Sequence, residues 1–224
     1  MATRVDVYVE RGVKRTFASA VDWPGWARSG RDEAAALAAL LASAPRYAKI
    51  VSRSRLGFPA ASSELSLRVI ERLPGTATTD FGAPAAVPRI DATAVTAAEL
   101  RRIETLIAAA WRAFDDVATR AKGIALAKGP RGGGRSLDAI VAHVREAEAG
   151  YLSALGWPFK PDPAGDASEQ RRRAVIDGLR ASVRGEIAER GPRGGTRSKP
   201  RQFARRLAWR AIDHAWEIED RAGR

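Results

Sequence analysis

The stretch KPRQFARRLAWRAIDHAWEIEDR, residues 199–221, decides the architecture of the second half of this chain. Pro200 stands where a helix would open, a position at which proline loses no backbone hydrogen bond. Leu207, His214 and Ile218 follow at intervals of seven and four residues, so they share one face of a helix. The stretch therefore predicts a helix that places a histidine among inward apolar side chains.

The charges of this predicted helix run against its dipole. Eight basic residues and no acidic one lie within residues 190–210, whereas Asp213, Glu217, Glu219 and Asp220 follow near the end. A helix is stabilised by acidic residues at its start and basic residues at its end. We therefore expect compensation either from the acidic ends of neighbouring helices or from a bound anion.

Three further helical patterns with apolar stripes precede this one. They cover residues 96–121, 136–155 and 167–190, and Ser136 is a good N-cap for the second of them. No single helix can bury its stripe alone. The four together predict an all-α four-helix bundle over residues 91–224.

The first 90 residues change to the period of two that is typical of strands. VDVYVE, residues 5–10, alternates in this way, and residues 14–23 predict its hairpin partner. Residues 30–51 predict a helix that Pro45 ends or kinks. Further strands are predicted at residues 63–73 and, as a short last one, at 76–82. Residues 1–90 are thus expected to form a small α+β domain.

Composition excludes several classes of function. The 224 residues contain no cysteine, which excludes disulfides, thiolate metal ligands and a cysteine nucleophile. No apolar run approaches the ~18 residues that a membrane span requires, and the start lacks a signal-peptide pattern, so we expect a cytoplasmic protein without membrane contact. The net charge of +12 allows a nucleic-acid partner, with residues 190–210 as its contact surface.

One basic octapeptide occurs twice, as GPRGGGRS at residues 129–136 and GPRGGTRS at 191–198. A phosphate-binding P-loop is excluded, because the segment before the first copy is helical and Thr196 replaces the second glycine. Glycine-rich backbone with arginine at a helix start favours an anion, while the alternative is a pair of plain connectors. The candidate anion-binding residues are Arg131, Arg135, Arg193, Arg197 and Arg210.

The only two histidines lie on inward faces of two predicted helices. His143 follows Ile140 by three residues, and His214 lies on the stripe described above. Two histidines that point into one bundle suit a divalent metal, and Glu217 is three residues beyond His214 on the same side. The alternative is a pair of buried histidines satisfied by hydrogen bonds. The pattern names no catalytic residue.

The helical half resembles the DinB/YfiT-like superfamily of four-helix bundles. In that family one histidine of the second helix and an H-x-x-x-H pair of the last helix hold nickel or zinc, and members include thiol-S-transferases and a mycothiol-dependent isomerase. His143 in IVAHVREAEAGY and His214 in AWRAIDHAWEIEDR match two of the three positions. The resemblance implies a zinc or nickel cofactor and a small-molecule substrate or a low-molecular-weight thiol.

Arg210 stands where this family has its third histidine. An arginine does not give up its proton to bind metal, and its charge repels a cation. A carboxylate such as Glu217 would have to complete the metal site of His143 and His214. Two readings stay open: a metal-dependent enzyme, or a non-catalytic binding or regulatory protein with a degenerate metal site.

The N-terminal stretch up to residue 45 resembles the HicB-like antitoxin domain. Its hairpin leads through Pro24–Gly25 to a helix that opens with Asp32 and Glu33 and has an alanine-rich face. The resemblance implies a unit that docks a partner protein or forms a homodimer. The arrangement of the two halves resembles that of actinobacterial proteins.

Overall fold

The computed structural model describes residues 3–59, 62–128 and 134–223. It confirms the expected fold class, an N-terminal α+β part followed by a helical part. The strands are β1 (Thr3–Arg11), β2 (Thr16–Ala20), β3 (Ala27–Gly30) and β4 (Leu65–Pro74). The helices are α1 (Glu33–Ala42), α2 (Ala44–Val51), α3 (Ala77–Phe81), α4 (Ala97–Arg120), α5 (Leu137–Leu155), α6 (Ala167–Val183) and α7 (Pro200–Ala222).

The sheet has the strand order β3-β2-β1-β4. The predicted hairpin is present: β1 and β2 are antiparallel, and Val7 lies opposite Ala20. The chain then crosses over through α1 and α2, so that β4 runs parallel to β1. The turn of the hairpin is held by Asp80, whose carboxylate accepts from the backbone N–H groups of Val13 and Lys14.

The prediction of a short strand at residues 76–82 is wrong, because this segment forms α3. The side chain of Thr76 caps the helix start, and the hydroxyl of Thr79 accepts from the backbone N–H of Thr76 in return. Gly82 then ends the helix in the left-handed conformation, with φ of 106°. Local capping by threonine therefore prevails over the strand preference of these residues.

Other boundaries of the prediction also change. The helix predicted over residues 30–51 breaks at Ser43, two residues before Pro45. The axis of the chain bends there by 45°. The helix predicted to reach residue 190 ends at Val183, because the chain turns at Gly185 with φ of 75°. Within the described residues no single helix is long and apolar enough to cross a membrane, and only the bent pair α1–α2 has that length and composition.

Helix α7 lies between the sheet and the other bundle helices. Val7 and Ala18 on one face of the sheet belong to the same buried cluster as Leu40 of α1. On the other face, Phe17 packs edge-on against Trp209 of α7, with ring centroids 6.1 Å apart. The predicted division into domains 1–90 and 91–224 falls within a 3₁₀ turn, and the buried core continues across it.

Ion pairs compensate the unfavourable charge order of α7 at both ends. Near its start, Arg201 donates to Glu99 at 2.6 Å, and the buried Arg205 pairs with the buried Asp91. Near its end, Glu219 accepts from Arg46 of α2 at 2.8 Å. Compensation thus comes from neighbouring elements, the first of the two alternatives that the sequence left open.

Two glycine substitutions test how closely the sheet part packs on α7. Gly25 has φ of 92°, and a Cβ there would lie 2.6 Å from Cδ1 of Ile212. We expect Gly25→Ala to lower the free energy of unfolding by about 1–3 kcal/mol, through overpacking against Ile212 and through the left-handed backbone conformation that alanine disfavours. The matched control is Gly150→Ala on α5, where a Cβ meets open space; it should raise stability by about 0.5–1 kcal/mol.

Urea denaturation followed by circular dichroism measures both effects. Equal stability of Gly25→Ala and the wild type would contradict the close packing of this turn against α7.

Candidate functional site

Helices α5 and α7 bring the two histidines together. His143 lies near the start of α5, and His214 lies on α7, which runs antiparallel to it and contacts it along its length. The imidazole centroids are 5.1 Å apart, with the rings at 88° to each other. His214 is buried and His143 is half-buried. The structure therefore places the two predicted site residues in direct contact.

Arg210 lies between the two imidazoles. Its Nη1 is 3.4 Å from Nε2 of His143 and 3.4 Å from Nε2 of His214. Its Nε donates to the hydroxyl of Tyr151 at 3.3 Å. Because a guanidinium only donates, each Nε2 must offer its lone pair to it. Both rings are then hydrogen-bond acceptors toward one nitrogen of the arginine.

Glu217 contacts the opposite nitrogen of the His214 ring. Its Oε2 is 2.7 Å from Nδ1 of His214, and its Oε1 accepts from Arg221 at 2.8 Å. The proton of His214 therefore lies on Nδ1, which leaves Nε2 free to face Arg210. The hydrogen bond from His214, followed by the contact with Arg221, lowers the pKa of the Glu217 carboxyl. The carboxylate thus orients the imidazole as an acceptor.

These residues do not fit a metal site. A metal between the two Nε2 atoms would need the space that Nη1 of Arg210 takes, and it would face a fixed positive charge. Glu217 lies on the Nδ1 side and does not complete the site, contrary to the expectation from the sequence. Within the described chain no group of three or more His, Cys, Asp or Glu side chains could hold a metal ion.

The surroundings of His143 favour its neutral form. Burial, followed by the positive charges of Arg135 and Arg210, lowers the pKa of the His143 imidazole. A neutral ring is what the acceptor role toward Arg210 requires. His143 thus meets the cation of Arg210 as a neutral ring.

Of the other candidate arginines in the described residues, Arg135 reaches this site through its charge, which acts on His143, whereas Arg193 and Arg197 lie away from it. Arg131 lies outside the described residues. Arg135 precedes the start of α5, where its carbonyl accepts from Arg221 at 2.8 Å. Arg197 packs against Gly156, just beyond the other end of α5, and Arg193 is exposed in the same loop. Because α5 is roughly 27 Å long, Arg135 and the second octapeptide lie at opposite ends of the bundle.

Sequence reasoning missed two members of the site. Tyr151 has the spacing of the apolar stripe predicted for residues 136–155, but its hydroxyl accepts from Arg210. Arg221 holds Glu217 and also donates through Nε to the carbonyl of Ala127 at 2.8 Å. The spacing of four residues from Glu217 to Arg221 was the available signal, since such a pair lies on one helix face.

None of the known protein-family models, curated proteins or solved structures matches this chain. The likeness to DinB/YfiT-like bundles and HicB-like domains therefore has no support beyond the residues themselves. The function has to be argued from the geometry of the site.

The lowered pKa of His143 predicts a pH dependence of stability. Between about pH 7.5 and about pH 5.5 the unfolded chain binds a proton at this position more readily than the folded one, so unfolding free energy falls as pH falls. His143→Gln should remove the contribution of this imidazole to the slope of unfolding free energy against pH, because glutamine does not titrate but still accepts a hydrogen bond from Arg210. Denaturant titrations at several pH values measure it.

Glu169→Gln on α6 is the control, because Glu169 is exposed and its charge is not among those that shift the pKa of His143. It should keep the slope. An unchanged slope in His143→Gln would show that this imidazole titrates alike in the folded and unfolded chains.

Proposed function

We propose that this chain is a metal-independent binding protein, not a metalloenzyme. The observation that carries the proposal is the position of Arg210, whose Nη1 lies 3.4 Å from Nε2 of both His143 and His214. The guanidinium supplies the positive charge that a metal ion would supply to the same two lone pairs. Because the arginine is part of the chain, this cation does not dissociate.

The contacts of Arg210 favour a structural role for this cation. It joins α7 to α5 through His143 and Tyr151. A metal that activates water or a thiol needs an open coordination position, whereas a guanidinium offers none. These contacts therefore support the non-catalytic reading over a zinc- or nickel-dependent reaction on a small substrate or thiol.

The basic stretch 190–210 gives little support to nucleic-acid binding. Arg201 and Arg205 are buried in internal ion pairs, and Lys199 pairs with Glu189 at 2.9 Å. Arginines that are already paired inside the fold do not neutralise phosphates. Arg201 and Arg205 are better explained as the part of α7 that binds the rest of the chain.

The sheet part makes its main contact within its own chain. Trp209 of α7 covers Phe17 and Ala27 of the sheet, and Arg28 donates to Asp213 at 3.3 Å. The unit that resembles an antitoxin domain thus docks against the bundle. In the proposal a partner protein or a second copy would use the remaining surface of this unit.

Restoring a histidine at position 210 tests the proposal. Arg210→His would remove the fixed cation and place a third imidazole four residues before His214, opposite His143. We expect its zinc or nickel affinity to exceed that of the wild type by about a hundredfold, equivalent to ~2.7 kcal/mol. Calorimetric titration of chelator-treated protein, purified without a nickel column, measures this affinity.

The matched control is Arg206→His, which adds a histidine one turn earlier, where the arginine lies over the ring of Tyr151. It should leave metal affinity at the wild-type level. Wild-type protein that already contains close to one equivalent of metal would refute the proposal, and equal affinities of the two variants would place Arg210 away from a ligand position.

A further inference from the structure

A cationic groove lies between α2, α4 and the end of α7, on a different face of α7 from the histidines. Its volume is about 400 Å³, and the side chain of Trp216 forms part of its wall. The positively charged residues that line the groove are Arg46, Lys49, Arg53, Arg112 and Arg120.

The charges of the cationic groove are unbalanced. Asp116 and Glu219 are the acidic residues of its lining, and Asp220 also pairs with Arg46 at 3.1 Å, so five cations face three carboxylates and two positive charges remain. Within the described ranges, no carboxylate comes within ion-pair distance of Lys49, Arg53 or Arg112. All three are exposed.

One wall of the groove is held in place. Arg46 donates to Glu219 at 2.8 Å and lies 4.9 Å from the ring centroid of Trp216. Glu219 also pairs with Arg120 at 3.7 Å, so its negative charge is shared between two arginines and does not neutralise the other cations of the groove. The unpaired cations Lys49 and Arg53 are one helical turn apart, an arrangement that costs free energy unless an anion lies between them.

We propose that the cationic groove binds a small ligand that carries two or three linked phosphate groups. Each such group contributes about −1.5 to −2 charges, so two linked groups match the charge of Lys49, Arg53 and Arg112, the three cations without a carboxylate partner in the described part of the chain. Arginine also matches phosphate with paired N–H donors. A cleft of like charges concentrates anions, and its volume is that of a small-molecule site. The site is additional to the proposed function and independent of Arg210.

The test compares two double variants that remove the same net charge. Lys49→Gln with Arg112→Gln removes two unpaired cations of the groove, while Lys160→Gln with Arg173→Gln removes two exposed cations elsewhere. Calorimetry with inorganic tripolyphosphate at about 0.1 M salt measures affinity. We expect the groove variant to bind at least about tenfold more weakly than the wild type and the control variant to bind within about twofold of it.

Equal affinities of the two double variants, or no binding of tripolyphosphate by the wild type, would overturn the proposal. All four substitutions are at exposed positions, and equal melting temperatures will confirm that both variants fold. Two further ligands define the class: inorganic monophosphate should bind more weakly than tripolyphosphate. A single-stranded oligonucleotide that binds more tightly than tripolyphosphate would replace the small ligand by a nucleic acid.

Discussion

The rest of the structure depends on the burial of α7 on both sides. The sheet covers one side through Phe17 and Trp209, and α4 and α5 cover the other. Because most of this helix is covered, its buried charged side chains need partners. The buried Arg205 meets Asp91 in the segment before α4, and Arg201 meets Glu99 within α4. The charge order that is unfavourable for an isolated helix is stabilised in the fold by these ion pairs with neighbouring elements.

Arg210 extends the same principle to the histidines. The Nε2 atoms of the two imidazoles both face Arg210 inside the fold, and a polar group left without a partner there costs about 1–3 kcal/mol. Either a metal ion or a hydrogen-bond donor can satisfy the lone pairs of both Nε2 atoms. The arginine does so through Nη1, while Glu217 fixes the proton of His214 on the other side of the ring. The result is a closed network that runs from Tyr151 to Arg221 and joins two helices without any dissociable component.

The parts of this arrangement that follow a helical period could be predicted from the sequence. His214 lies seven residues after Leu207 and four before Ile218, and these spacings place it on the inward face of the helix. The meeting of His214 with His143 followed from the same rule applied to two helices. The side of the imidazole that Glu217 contacts could not be predicted, because it depends on side-chain rotamers. The strand prediction for residues 76–82 was wrong for another reason. Seven residues are too few to show a period, and the cap formed by Thr76 stabilises a helix there instead.

The two octapeptides show how position in the fold overrides identity of sequence. Both copies precede a helix in the sequence, but α5 and α7 are antiparallel, so Arg135 before α5 lies at the other end of the bundle from Arg193 and Arg197. Arg201 and Arg205 of α7 form ion pairs with carboxylates inside the fold, so they do not contribute to the surplus positive charge at the surface. It is concentrated where α2 and α4 lie side by side, and their exposed cations Lys49, Arg53 and Arg112 have no acidic partner among the described residues. A chain with a net charge of +12 thus separates cations that hold the fold together from cations that remain available to a ligand.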